Sequence, residues 1–90
     1  MMTDKQKYLT FTSEPMGSKG IETLPGLTRN SRDKLMSQGY DKAYIVLGQF
    51  LLLKKDKKSF ADWITEACGV TRLQATFCYR CLLDYTKEFL

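Results

Sequence analysis

Between Gly39 and Asp56 the chain carries its longest apolar run; from Ala43 to Leu53 only Gly48 and Gln49 interrupt it. A buried strand usually stops at about four to eight residues, so this length favours a helix. Asp41 is placed to cap its start, and Lys54 and Lys55 suit the negative end of its dipole. Further on, Phe60, Trp63, Ile64 and Ala67 fall at i, i+3, i+4 and i+7, one face of a helix that Asp56 caps and Gly69 stops. Thr71-Arg72-Leu73-Gln74 has the form of a capping box. It opens a last helix in which Cys78, Leu82, Tyr85 and Phe89 form a stripe that Phe77 and Cys81 widen. At the other end, Thr3 or Asp4 caps a first helix bearing Tyr8, Leu9 and Phe11, and Glu14-Pro15-Met16-Gly17 makes a turn after it. Between these, Ile21, Leu24, Leu27, Leu35 and Met36 predict a short helix pinned to a second one across a tight Pro25-Gly26 turn, with Gly39 as the stop. The pattern predicts an all-α fold of five helices plus one turn-like helix, with no strand, linker or repeat.

The central run wraps apolar side chains nearly all round its helix. A private core takes one face, so a second apolar face around Tyr44, Leu47, Gly48, Leu51 and Leu52 points to another subunit. Gly48 costs about 1 kcal/mol against alanine in a helix interior. Close approach of another backbone or bulky side chain would account for that cost. The alternative is a monomer in which the central helix is fully buried. The run is well short of the about 20 apolar residues that span a bilayer, so no membrane insertion is expected.

Composition narrows the function classes. Ninety residues make one domain, residues 1–90, at the small end of what folds alone, and dimerisation would enlarge a modest core. A hydrophobic fraction of 43% argues against disorder. Fourteen Lys and Arg against ten Asp and Glu give a net charge of +4, which permits an acidic partner such as nucleic acid. There is no histidine, the commonest general base and metal ligand. Cys78 and Cys81 form a C-x-x-C inside a helical pattern without a second pair, so the three cysteines read as buried reduced thiols and no metal or other cofactor is expected. The Met-Met-Thr-Asp-Lys start has no apolar signal core, which fits a soluble nucleocytoplasmic chain. With no nucleophile–base pair either, an enzyme is the weakest reading.

The stretch Gly39-Tyr-Asp-Lys-Ala-Tyr-Ile-Val-Leu-Gly-Gln-Phe-Leu-Leu-Leu-Lys-Lys-Asp56 resembles the barrier-to-autointegration factor family, dimeric DNA-bridging proteins of animal nuclei. Ser13-Glu14-Pro15-Met16-Gly17, Trp63, Cys68-Gly69 and the closing Phe89-Leu90 match as well, and the resemblance runs end to end without gaps. It implies a compact five-helix SAM-like domain containing a helix-hairpin-helix and dimerising through the central helix, in the nucleus with a cytoplasmic pool.

Leu24-Pro25-Gly26-Leu27-Thr28 itself resembles a helix-hairpin-helix turn, whose usual core is Leu-Pro-Gly-(Ile/Val)-Gly. A tight turn feeding a helix N-terminus aims free backbone N–H groups at a phosphate, and such contacts ignore sequence. Gly26, Leu27, Thr28, Arg29, Asn30, Arg32 and Lys34 make up this candidate site. The glycine is expected to let the DNA backbone approach. Thr28 replaces the motif's second glycine; it can cap the helix and offer its hydroxyl, but its branched Cβ is expected to restrict the turn, and Arg29 adds charge that offsets this. The resemblance adds contacts at two helix starts, Lys5, Gln6 and Lys7, then Arg72 and Gln74. Leu73 stands where the family has a DNA-contacting lysine, with Arg72 as the neighbour able to compensate. Without the resemblance, Lys5, Lys7 and Arg72 are equally well read as solvated helix-end charge. Of the family's phosphorylated N-terminal residues only Thr3 remains, followed by Asp4 and Lys5.

The resemblance also implies a groove for LEM-domain proteins of the nuclear envelope, at Tyr40, Leu52, Lys54, Ser59 and Trp63, and a contact with lamin. Ser59 replaces a family leucine and gives up roughly 1.5–3 kcal/mol of possible apolar burial. By periodicity alone Trp63 is core. Two functions follow. One is a homodimer that bridges double-stranded DNA without regard to sequence. The other is a diverged relative with weak or no DNA binding that pairs with a standard family member or with nuclear-envelope partners; Thr28 and Leu73 favour it.

Overall fold

Four of the five α-helices begin where the sequence places a cap. The structure, a computed structural model describing residues 2–90, has α1 (Asp4–Ser13), a 3₁₀ turn (Ile21–Thr23), α2 (Arg29–Ser37), α3 (Ala43–Leu52), α4 (Lys57–Cys68) and α5 (Arg72–Phe89). Thr3 and Thr71 both close capping boxes. The Thr3 hydroxyl accepts from Gln6 N and the Gln6 side chain accepts from Thr3 N at 2.8 Å; Thr71 and Gln74 repeat the arrangement at the start of α5. Asp56 caps α4 by accepting from Ser59 N at 2.9 Å, and the Ser59 amide, then its hydroxyl, hold the Asp56 carboxyl below its ordinary range. Gly69, at φ 74, ends α4 as expected.

The start of α3 differs from expectation. Asp41 does not cap it; the residue at that place is Lys42, and no side chain closes the turn. The segment before α3 is extended and pairs with the segment before the 3₁₀ turn: Ile21 N donates to Asp41 O at 3.0 Å and Ala43 N to Lys19 O at 3.0 Å. Backbone pairing therefore does the work assigned to a carboxylate, through an isolated bridge between Gly20 and Lys42 that local sequence does not announce. At the other end of α3, Lys54 and Lys55 act through their backbone. Both sit at φ 60, and their N–H groups reach Leu51 O and Phe50 O, satisfying carbonyls the helix leaves open. Tyr79 fixes this turn by donating its hydroxyl to Lys55 O at 2.7 Å.

The helices close around one core. Phe11, Ile21, Leu24, Leu35, Val46, Phe50, Phe60, Ile64 and Leu82 are its largest fully buried members. On α5, Tyr85 packs on Phe11 with centroids 5.3 Å apart and donates no side-chain area to solvent beyond 5%; its hydroxyl accepts from Met16 N at 2.9 Å, tying the turn after α1 to the core. Phe50 meets Phe60 and Tyr79, joining α3, α4 and α5. Met36, expected between the hairpin helices, is 51% exposed, whereas Leu35, about 100° round α2 from it, is fully buried. Phe77 lies at the rim, against Tyr8 of α1.

All three cysteines are free and buried. Burial pushes the Cys81 thiol up to about 12, and burial together with the neighbouring Cys81 and Cys68 raises Cys78 well above its ordinary value. The fold thus favours neutral thiols. Their contribution to stability is intact below the ordinary value of 9.0 and is lost as pH rises from there towards about 12, because the unfolded chain ionises first. Urea midpoints are expected to be level from neutral pH to 9.0 and to fall above it, and the native protein at neutral pH is expected to resist a thiol reagent that labels all three residues once unfolded. Rapid labelling of the native fold would refute this account of the core.

Candidate nucleic-acid interface

Gly26 fixes the hairpin. It is buried at φ 84, and a Cβ there would lie 2.6 Å from the Gln74 carbonyl oxygen in the first turn of α5. Only glycine permits both the left-handed backbone and this approach. The expectation that Gly26 opens the turn to a DNA backbone is therefore corrected: its bare face is used by α5. Leu27 is likewise buried, at 6% exposure.

Thr28 caps α2. Its hydroxyl accepts from Ser31 N at 3.1 Å and donates to Ser31 Oγ at 2.9 Å. Its backbone is extended at φ −79, where a branched side chain is unstrained, so the expected restriction of the turn is absent. The hydroxyl is engaged within the helix cap. Arg29 and Asn30, both exposed, occupy the first two positions of α2, whose N–H groups have no intrahelical acceptor.

The three candidate segments converge. The hairpin lies on the start of α5 through Gly26 and Gln74. The second turns of α1 and α5 meet through Tyr8 and Phe77, whose ring centroids are 5.7 Å apart. Lys7 of α1 and Arg32 of α2 line one cleft. Gln6 and Gln74 spend their side-chain oxygens on the capping boxes, which leaves their amide N–H groups as donors. Lys5 is exposed in the first turn of α1.

Two cations are placed otherwise than expected. Arg72 is ion-paired with Asp62 of α4, which Lys58 also contacts at 2.8 Å; Lys58 and Arg72 together hold the Asp62 carboxyl below its ordinary range. Arg72 therefore does not stand free to replace the missing lysine at Leu73, which is 81% exposed. Lys34 turns away from the hairpin, with its Nζ 3.5 Å from where a Cβ on Gly69 would be, at the negative end of α4.

The second face of α3 is open in the single chain. Val46 and Phe50 are buried with Ala43, while Tyr44, Leu51 and Leu52 are exposed and Leu47 is half-buried on the core. A Cβ at Gly48 would meet nothing within 4 Å, so no contact inside the chain requires glycine there. Tyr40 and Trp63 stack edge to face at 5.2 Å, with Trp63 also against Phe60; Lys54 is exposed in the α3–α4 connection and Ser59 in the first turn of α4.

The sequence matches the family described as barrier to autointegration factor over residues 2–89. The chain belongs to that family. The barrier-to-autointegration factor of Drosophila melanogaster is 44% identical over 90 residues, spanning 100% of both chains. Its human counterpart is 44% identical over 89 residues, 99% of this chain and 100% of the relative, and that of Danio rerio is 41% identical over 90 residues. Among the described residues, the architecture of five α-helices without a strand is the family fold the resemblance implied. Within this barrier-to-autointegration factor fold, Lys19, Glu22, Thr10 and Thr23 join Lys7 and Arg32 around one cleft. Nothing in the local sequence marks those four, because packing of separate segments brings them together.

The hairpin geometry orders three substitutions by cost. Gly26→Ala is expected to be the most damaging, since it combines a left-handed backbone with a clash against α5, roughly 1–3 kcal/mol. Thr28→Ala should lose a cap worth about 1 kcal/mol, and Thr28→Gly only a few tenths. Urea unfolding of the three variants measures this, and a Gly26→Ala protein as stable as the parent would show that the hairpin does not rest on α5.

Proposed function

We propose that the chain is a nuclear, homodimeric protein that binds and bridges double-stranded DNA without reading its sequence. The carrying observation is the capped N-terminus of α2: Gly26 holds it against α5, and Arg29 and Asn30 stand exposed in its first turn. N–H groups and cations in this setting take phosphate oxygens, which carry no base information. Gln6 and Gln74 add donors, and Lys5 and Lys7 add charge. Membership of the barrier-to-autointegration factor family supports the same reading.

Dimerisation through α3 is supported by the exposed Tyr44, Leu51 and Leu52 around Gly48, a glycine for which the single chain has no use. A two-fold axis across that face would set two hairpins on separate duplexes. A cytoplasmic pool and contacts with LEM-domain proteins or lamin belong to the family reading; Tyr40 and Trp63 would form the groove, with Lys54 and Leu52 beside it. The second reading, a relative specialised for protein partners, is favoured by one observation: Leu73 and the paired Arg72 leave the start of α5 without a free cation.

Gel shifts with two unrelated duplexes are expected to agree within about tenfold, since each discriminating base contact is worth about 1–3 kcal/mol. Affinity should fall steeply with salt, and Arg29→Ala should reduce the salt slope by roughly one unit. Arg72→Ala should change it little. Absence of binding at low salt would select the second reading.

Gly48→Glu tests the dimer cleanly. The open space at Gly48 lets a single chain accept the side chain, whereas a closed α3 face would bury an unpaired carboxylate. Light scattering is expected to give a folded monomer; a Gly48→Glu dimer at micromolar concentration would remove α3 as the interface.

A further inference from the structure

Behind the hairpin, α1, the 3₁₀ turn with its preceding segment, and α2 enclose a half-open cleft of about 370 Å³. Its size is that of small-ligand pockets, about 300–1,000 Å³. Three cations line it: Lys7, Lys19 and Arg32. Lys19 is ion-paired with Glu14 at 2.5 Å, as Arg72 is with Asp62, so it adds less charge than Lys7 and Arg32; it lies over the buried Phe11 ring, 6.0 Å from its centroid. Phe11 gives the cleft an apolar floor. Arg32 is the informative member. Its Nε is buried and has no hydrogen-bond partner among the described residues, a state that protein interiors seldom leave uncorrected. A guanidinium offers its N–H groups as a planar fork matched to phosphate.

The remaining polar groups are acceptors. Glu22 is the one acid on the lining, and Thr10 and Thr23 bring hydroxyls, that of Thr23 already donating to Gly20 O at 2.7 Å. A carboxylate beside three cations disfavours a polyanion. It suits a ligand that pairs one phosphate with hydroxyl groups. We propose that this cleft binds a phosphorylated sugar of nucleotide type, with the phosphate on Arg32, Lys7 and Lys19 and the sugar hydroxyls on Glu22 and Thr10. The ligand is a free nucleotide, because the terminal deoxyribose of a DNA strand has no 2′-hydroxyl and its 3′-oxygen is esterified, which leaves nothing for Glu22 to accept from. The proposal does not rest on the proposed DNA binding.

The test is an NMR titration of isotope-labelled full chain with adenosine 5′-monophosphate in DNA-free buffer, to about 5 mM, a concentration that reveals even millimolar affinity. Saturable shifts at the amides of Lys7, Thr10, Glu22 and Arg32 are expected, with a submillimolar Kd. Arg32→Gln should weaken binding about tenfold or more, the loss of one charge-assisted hydrogen bond. Lys19→Gln, in a loop outside every helix, should weaken it in the same direction and carries the test if Arg32→Gln loses its folded spectrum. Displacement of the nucleotide by neither a 5′-phosphorylated nor a 5′-hydroxyl duplex is expected; displacement by the 5′-phosphorylated duplex alone would mean a bare strand-end phosphate site and would overturn the assignment of the sugar hydroxyls. The proposal is overturned by an absence of saturable shifts, by variants that bind as the parent does, or by inorganic phosphate binding as tightly as the nucleotide, which would mean an adventitious anion only. Because the titration contains no DNA, its failure leaves the hairpin reading untouched.

Discussion

The contact between Gly26 and the first turn of α5 is the constraint on which the functional end of the molecule depends. It joins segments nearly fifty residues apart at a backbone-to-backbone distance no other residue type allows. Through it, α2 is held against the start of α5, and Tyr8 on Phe77 packs α1 on α5. Each of these three helices begins on a threonine cap. An exposed cation, Lys5 in α1 and Arg29 in α2, stands beside the partial positive charge of two of those N-termini.

The middle of the chain answers to a different pressure. α3 is short, apolar on both faces and flanked by unusual backbone: an extended pairing segment before it and two left-handed lysines after it. Left-handed non-glycine residues cost about 1–2 kcal/mol each. Here the Tyr79 hydroxyl and the recovered carbonyls of α3 offset that cost. The turn also stops α3 after Leu52, leaving that side chain 75% exposed at the edge of the open face.

Helix existence was legible because periodicity and capping chemistry agreed. Thr71 with Gln74, Asp56, Gly69 and the stripe through Cys78, Leu82 and Tyr85 are all local signals, and all hold. The misreadings share a cause. Asp41 looks like a cap, yet backbone pairing with the distant Lys19–Ile21 segment takes its place. Arg72 and Lys34 look like free cations in a linear sequence, yet Asp62 and the end of α4 lie beside them in space. Thr28 looks like a poor substitute for glycine, yet its position needs a cap and not a positive φ. The cleft behind the hairpin had no local signal because three separate segments build it.

The Arg72–Asp62 pair has a thermodynamic consequence of its own. A cation bathed in solvent gains affinity for DNA chiefly by releasing condensed ions from the duplex into bulk, where they mix freely. Arg72 must first part from a carboxylate that remains tethered to α4 a few ångströms away. Asp62 then competes with the arriving phosphate at a fixed and high effective concentration that dilution cannot lower. Whatever ionic attraction the start of α5 exerts is thus buffered from within the protein, where one carboxylate is shared between the two cations Lys58 and Arg72.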